Sequence, residues 1–412
     1  MLTKTAKLRK PRNVLLLFDI LAIGLLLLYD KTEVNQTIGA MTAGLIILLY
    51  LSNLLLEKIS TGDNYIFLIV SMLLSIGVVM NYSIDQYFGF KHILWALVGI
   101  VCFYITYFLL KGFNFWDKLM NFYIAVSILL FLATMIFGDS RLGSKNWIQI
   151  TSSISIQPSE FIKILLIFII ACYYCNEKKF KEIKYSSLIL MGIVYIFIGF
   201  LFLQRDLGTA VMFLAIFTGI HFIYEEDRKL VWGNVVLALL GVVAGYFLFG
   251  HVRKRFNIWL NPYMVGGEQI LESLYAISSG GFFGSGIGLG YPKLIPVVNS
   301  DFIFAAICEE MGLFTGMGII ILFVFLVYRG FKISLVQPNK FFKILSLGIS
   351  ILFGIQAFLA IGGVVKFIPM TGITLPFVSY GGSSMISSFI ALAVLQVGSE
   401  DLSYKTEREE QI

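Results

Sequence analysis

HILWALVGIVCFYITYFLL, residues 92–110, contains no Asp, Glu, Lys or Arg across 19 positions. At 1.5 Å per residue, such a helix is about 30 Å long, the thickness of the hydrocarbon core of a bilayer. Eleven similar runs accompany it, at about 14–29, 36–55, 64–82, 120–137, 159–175, 186–203, 207–224, 230–250, 302–328, 342–365 and 377–397. Across the 412 residues, 58% are hydrophobic and 14% charged. A soluble chain carries about 25% charged residues, so this one has more apolar surface than a single aqueous core could hide. The reading is an all-α polytopic membrane protein with about twelve transmembrane helices.

The charges lie outside these runs and set an orientation. With the N-terminus in the cytoplasm, the inside segments hold 20 of the 31 Lys and Arg, which satisfies the positive-inside rule and places both termini inside. The net charge of +6 is thereby assigned to a membrane face, and no separate basic domain remains to hold nucleic acid. MLTKTAKLRKPRN and the run after it open like a signal peptide but lack a small-x-small cleavage site, so this segment reads as an uncleaved first span. Cys102, Cys172, Cys175 and Cys308 all fall in apolar runs and read as packing residues rather than a disulfide framework.

Six of the eight prolines lie in or beside the outer connections 138–158, 251–300 and 366–376. The stretch 251–300 is too long for a simple connection. It contains QILESLYAI (269–277), of helical character, and the glycine-dense SGGFFGSGIGLGYP (279–292), which suits backbone lining a protein cavity at the membrane. The GIGLG within it has no preceding strand and is not a dinucleotide fingerprint.

Ionisable groups in these segments each need a partner or a purpose, because a charge in the bilayer costs about 3 kcal/mol even on lenient scales. Glu160 and Lys163 stand at i and i+3 on the sixth span, as a structural ion pair or as part of a site. Asp206, in the short outer hairpin, reads as a partner for Lys163 or as a helix N-cap. Asp301 sits where the long outer loop enters the tenth span, with Glu309 and Glu310 about 12–13 Å deeper along the helix. Asp301 is either an N-cap or, partly desolvated, a general base. Lys366 precedes a segment (369–384) with two prolines, glycines and the hydroxyls of Ser379 and Ser383, which reads as a broken helix lining a cavity or as small residues for close packing. With Arg141, Lys145, Arg253, Lys254 and Arg255, these groups outline a partly basic outer cleft suited to a phosphate-bearing ligand. No His/Cys/Asp cluster has zinc-ligand spacing, so no metal ligands are assigned.

At these residues the chain resembles the SEDS family (shape, elongation, division and sporulation), which includes RodA, FtsW and SpoVE. The matching pieces, in family order, are GSKNWI (143–148), IQPSEFIK (156–163), QRDLGTA (204–210), RFNIWLNP (255–262), the Gln269…Ser273 segment with SGGFFGSGIGLG, SDFIFAAICEEMG (300–312) and MTGITLPFVSYGGSS (370–384). The resemblance runs from about residue 64, in the third span, where LSIGVVMNYS (74–83) resembles the family's usual first span, to about residue 397. It implies a ten-helix core over 61–398, with 1–60 as a basic tail and two additional spans, 251–300 as the extracytoplasmic loop between spans 9 and 10, and 399–412 as a cytoplasmic tail. Two positions depart from the usual pattern: Val297 stands where many members have Glu, and Arg205 where many have Pro.

The family implies a peptidoglycan glycosyltransferase in the bacterial cytoplasmic membrane that polymerises lipid II into glycan strands at the outer face. The family's catalytic Asp falls on Asp301. It would deprotonate the 4-hydroxyl of the acceptor GlcNAc for attack on the anomeric carbon of the growing glycan chain, with inversion. A buried Lys–Asp contact maps onto Lys163 and Asp206, with Glu160, Glu309 and Glu310 as supporting residues. Arg141, Lys145, Trp147, Arg253, Arg255, Gln269, Ser273, Lys366, Ser379 and Ser383 are expected to bind the pyrophosphate and glycan. A divalent cation, Mg or Mn, stays open as cofactor. The implied partners are lipid II, the growing glycan, membrane lipids and a class B penicillin-binding transpeptidase. A transporter that flips the same lipid is the competing reading, since intramembrane carboxylates and broken helices also mark transporters. A non-catalytic scaffold would leave the carboxylates without a purpose.

Overall fold

A computed structural model describes residues 11–22, 24, 36–141, 144–151, 154–177, 180 and 185–401. The basic tail 1–10, most of the second half of the first apolar run, the C-terminal tail beyond 401 and the side chain of Arg141 lie outside the described residues. Each of the twelve apolar runs falls on a helix: α1 (11–22), α2 (Gln36–Ile59), α3 (Tyr65–Ile84), α4 (Gln86–Gly112), α5 (Met120–Phe137), α6 (Ser159–Cys175), α7 (Ser186–Leu203), α8 (Leu207–Tyr224) and α9 (Arg228–Leu248) come first. Two shorter helices, α10 (Gly250–Leu260) and α11 (Glu268–Gly280), occupy the long loop before α12 (Ile303–Val336), α13 (Lys340–Val364) and α14 (Gly382–Gly398). Among the described residues, eight helices are long and apolar enough to cross a membrane, so the chain is a multi-pass helical membrane protein.

Burial sorts the bundle. α6 buries 14 of its 17 residues and packs on α5, α8, α13 and α14, which makes it the central post. α9 buries only Val231, Asn234 and Gly245, and presents Leu239, Leu240 and Leu248 outward. In lipid such outward leucines cost nothing, and helix association rests on close van der Waals packing and small residues instead. Gly348 of α13 meets Ile167 of α6, and Gly382 of α14 meets the Trp95 ring of α4, so closely that a Cβ at either would clash.

The segment 138–158, expected as loop, holds a three-stranded antiparallel sheet, β1 (Gly138–Arg141), β2 (Ser144–Gln149) and β3 (Ser155–Ile156). Asp139 pairs with Trp147 and Ile148 with Ile156, with a register shift after Asp139. β2 contacts α5, and Lys145 donates both to Met135 O at 2.6 Å and, from its backbone, to Gln204 O at 2.9 Å, tying the sheet to the α7–α8 hairpin.

α12 is interrupted at Gly312, whose φ of 82° only glycine adopts without strain. There the glycine-rich loop crosses it: Leu313 N–H donates to Gly281 O at 3.0 Å and Phe314 N–H to Phe282 O at 3.1 Å. The loop is thus stitched to the helix that follows it.

Candidate functional site

A cavity of about 270 Å³ opens where β2, the Arg205–Asp206 hairpin, α10, the end of the long loop and the 371–384 segment converge. Asp301, Asp206, Glu160, Arg255, Trp147, Asn146 and Gln157 are among its lining residues. Asp301 lies just ahead of α12, but the N-cap position is Phe302 and no side-chain cap bond forms there. Its carboxylate is therefore not tied to the helix end. Burial pushes the Asp301 pKa above the ordinary carboxylate value, while contact with Ser300 and the nearby Arg255 guanidinium act in the opposite direction. Gly372, at φ 75°, leaves room between them: a Cβ there would lie 3.5 Å from Asp301 Oδ2 and 3.7 Å from Arg255 Nη2.

Arg255 is anchored by Nη1 donating to Thr371 O at 2.9 Å. Burial lowers its pKa, and Asp301 and Asp206 pull it back up. Burial, followed by the positive charges of Arg255 and Arg205, holds His251 below the usual histidine value. These three residues make a basic pole beside Asp301.

The remaining carboxylates are held by protein donors, Glu309 through one oxygen only, its buried Oε2 having no partner. Asp206 accepts from Thr209 N–H at 3.2 Å as the N-cap of α8, from Asn146 Nδ2 at 2.9 Å and from Gln157 Nε2 at 3.3 Å. The expected Lys163–Asp206 contact is corrected here: Lys163 Nζ donates to Glu160 Oε2 at 2.6 Å and to Gln356 Oε1 at 3.1 Å, and Glu160 also receives Ser387 Oγ at 2.8 Å. A lysine three residues from Glu160 on one helix satisfies it without crossing to the hairpin, and the hairpin aspartate is already occupied by amides. Glu309 and Glu310 do not line the cavity. Glu310 Oε2 accepts from Ser83 Oγ at 2.6 Å and Gly288 N–H at 3.0 Å, and Glu309 Oε1 accepts from Tyr291 N–H at 2.9 Å, so both clasp the glycine-rich loop.

Several other expected site residues are structural in position. Arg253 points its guanidinium at Phe247 O (3.2 Å), on the exposed side of α10. Ser273 is fully buried and donates to Ile270 O and Val364 O. Ser379 Oγ donates to Ser300 O at 2.5 Å, which holds the residue beside Asp301. Ser383 receives Gln157 N–H at 3.4 Å, and Lys366 accepts from Trp259 Nε1 at 3.1 Å through its carbonyl. Gln269, Lys145 and these residues lie outside the cavity lining, whereas Trp147 and Arg255 are in it. The reading missed Arg205, His251, Asn146, Gln157, Thr371 and Tyr380, all in the lining. Uncharged residues in a loop carry no charge signal; only the proximity of His251 to the basic run 253–255 could have drawn attention.

Backbone strain gathers at the same place. Of the described non-glycine residues with positive φ, Arg205 (59°) and Val297 (58°) line the cavity, and Lys366 (59°) and Phe377 (65°) flank the segment that closes it. A left-handed conformation costs a β-branched valine about 1–3 kcal/mol and marks positions held by their surroundings.

A divalent cation finds no ready-made protein site. Among the described residues, no three His, Cys, Asp or Glu come together as metal ligands, and Asp206 and Glu160 are saturated by N–H and O–H donors.

Beside the polar cavity runs an apolar groove of about 240 Å³ between α8, α9, α10 and α13, lined by Val211, Leu214, Val242, Phe256, Leu359 and Met370 among others. The two share Leu207, Gly208, Val252, Arg255 and Thr371. Arg255 therefore stands between an apolar channel and a carboxylate-bearing polar chamber.

A fold and site of this kind define a polytopic membrane protein built to act on an amphiphile. Residues 63–403 match the sequence profile of the cell cycle protein family FtsW/RodA/SpoVE, and the chain belongs to that family. It is 32% identical to the peptidoglycan glycosyltransferase RodA of Mycobacterium leprae (strain TN), over 79% of this chain and 75% of that one. It is 33% identical to the stage V sporulation protein E of Bacillus subtilis (strain 168), over 82% and 97%. Among solved structures, its fold superposes on a chain from a study of polymerization and crosslinking by a peptidoglycan synthase complex with a TM-score of 0.69 at 24% identity, covering 82% and 97%. The crystal structure of Thermus thermophilus RodA gives 0.61 at 23% identity, covering 82% and 96%.

Proposed function

We propose that Asp301 is the general base of a peptidoglycan glycosyltransferase, acting on lipid II at the outer face of the cytoplasmic membrane with both termini inside. The chain is a membrane glycosyltransferase of the class that its relatives' names give. The single observation that carries the assignment of roles is the placing of Arg255, which lines the apolar groove and the polar cavity at once and sits in the field of Asp301. A lipid diphosphate needs that juxtaposition: an apolar channel for the chain, a cation at its mouth for the phosphates and a base beyond it for the sugar.

The chemistry asks little of the protein beyond these groups. Asp301 removes the proton from the 4-hydroxyl of the acceptor GlcNAc, and that oxygen bonds to the anomeric carbon of the growing glycan. The anomeric carbon–oxygen bond to phosphate breaks on the opposite face, inverting the centre and releasing the lipid diphosphate. No covalent enzyme intermediate is required. Arg255 and Arg205 stabilise the charge that develops on the departing diphosphate. A base works best with a pKa raised toward the working pH, and burial moves Asp301 in that direction. Glu160, Lys163, Asp206, Asn146 and Gln157 form the floor that holds the hairpin and β2 in place. A class B penicillin-binding transpeptidase is the partner that would crosslink the product.

The test is polymerisation of purified lipid II by the protein with its transpeptidase, comparing wild type with Asp301→Asn. Polymer from the wild type alone supports the reading. Normal polymerisation by Asp301→Asn sinks the base assignment, and lipid II crossing vesicles without polymer would favour the transporter reading.

A further inference from the structure

α1 and α2 precede residue 63, where the family match begins. They are nonetheless fastened to each other at one level and to α3 of the core at two more. At one end of α1, Arg12 pairs with Glu57 of α2 at 2.7 Å and lies over the Tyr50 ring at 5.1 Å. Midway, Asp19 is 3% exposed and lies against Ser75 of α3. A carboxylate in that position binds a helix to its neighbour, because exposure to lipid costs more than any contact inside. At the other end, Ala22 is buried with Val79 and Tyr82 of α3 in a small apolar cluster separate from the main core.

That cluster also receives Ile287, from the middle of the glycine-rich loop. The next residue, Gly288, donates its N–H to Glu310 Oε2, which also accepts Ser83 Oγ of α3. The loop is therefore gripped at one point from both sides, through a side chain by α1 and α3 and through the backbone by α12. Gly281, Gly284, Gly286 and Gly288 all have positive φ, so the segment is rich in backbone freedom and needs external contacts to hold one conformation. Downstream it runs through the buried Ile295 and Val298 to Asp301 without an intervening helix longer than a 3-10 turn.

We propose that α1 is a built-in brace for the loop that ends in Asp301, with the Ala22–Val79–Tyr82 cluster on which Ile287 packs as its point of attachment and positioning, not catalysis, as its role. This rests on Asp301 being the base. The additional helix stiffens the approach to the site from outside the ten-helix core.

The test uses the full-length protein with its transpeptidase and lipid II. Ala22→Trp overfills the cluster on which Ile287 packs, and Leu21→Trp, on the exposed side of α1, controls for the burden of a large residue. Ala22→Trp is expected to raise hydrogen–deuterium exchange across 281–300 and to lower kcat about tenfold with KM unchanged, since a sub-ångström misplacement of a base acts on the chemical step. Leu21→Trp is expected to match wild type in both. Ala22→Trp combined with Ile287→Ala is expected to recover kcat, because the smaller loop residue makes room for the ring; a general folding defect would not be rescued this way. A folded Ala22→Trp protein with wild-type exchange overturns the proposal, as does raised exchange with unchanged kcat. Where Ala22→Trp does not fold, Ile287→Ala alone carries the same comparison, and wild-type exchange and kcat overturn the proposal. Exchange is read independently of activity, so failure of the base assignment, seen as an active Asp301→Asn, stays distinguishable from failure of the brace.

Discussion

Asp301 and Glu310 are nine residues apart, one just before α12 and one within it, and both are carboxylates withdrawn from bulk water. Glu310 is saturated: a serine hydroxyl and a backbone N–H fill the same oxygen, and the residue faces a loop rather than a cavity. Asp301 lies in a chamber of about 270 Å³ beside a basic pole and caps nothing. Glu160 through Oε2 and Asp206 through both oxygens touch the chamber but, like Glu310, are already held by protein donors. Asp301 differs from these three in lining the chamber beside Arg255; an unmatched lone pair is not enough by itself, since the buried Glu309 Oε2 also lacks a partner and lines no cavity.

The comparison breaks first at Asp301. Asp301→Asn keeps the shape and removes the base, and polymerisation is expected to fall by about 10²–10⁴-fold, with the melting temperature unchanged. Glu310→Gln keeps an acceptor for Gly288 and Ser83 and is expected to retain most activity in the same assay. Equal losses in the two variants would erase the distinction.

Next is the buried pair. Lys163→Met leaves Glu160 charged and unpaired, 6% exposed, and should cost about 3–5 kcal/mol in unfolding measurements in detergent. Glu160→Gln with Lys163→Met is expected to recover most of that, since the uncompensated charge is gone. A lost activity that no double variant restores, in a protein of normal stability, would move this pair from scaffold to chemistry.

A third measurement concerns pH. The base must be deprotonated to act, and burial raises its pKa above the ordinary value of about 4. Polymerisation should therefore fall, as pH drops, at a higher pH than an exposed aspartate would give. Arg255→Gln removes a neighbour that lowers this pKa, so the fall should begin at a still higher pH, alongside weaker use of the diphosphate substrate. A pH–rate profile of the two proteins reads both effects.

The smallest effect is expected at Val297. Val297→Gly releases a β-branched residue from φ 58° and should stabilise the fold by about 1 kcal/mol, offset in part by glycine's greater freedom in the unfolded chain. A loss of activity despite this gain would show that the strain itself helps to place Asp301, whose backbone N–H donates to Val297 O at 3.3 Å.

Much of this was legible in the chain. Every apolar run became a helix because hydrophobic length and the need to satisfy backbone groups in lipid leave a spanning segment no other choice. The carboxylates were conspicuous because charge is costly there. Their roles were legible only in part: the Glu160–Lys163 pair and the N-cap reading of Asp206 hold. Asp206 reads as a partner for Lys163 because two opposite charges invite pairing, yet uncharged Asn146 and Gln157 reached it first. The strands at 138–156 are short and carry no sustained alternation, so cross-strand pairing, and not a sequence period, created them.

The sequence by itself determined that this protein lives in a membrane, which segments cross it, and which few charged residues require explanation, since all three follow from the cost of exposing the wrong group to lipid. Only the tertiary structure decided which of those charges faces the chamber beside Arg255. That depends on donors brought from distant segments, Ser83 to Glu310, Ser387 to Glu160 and Asn146 to Asp206, and on Asp301 meeting Arg255 across Gly372 instead.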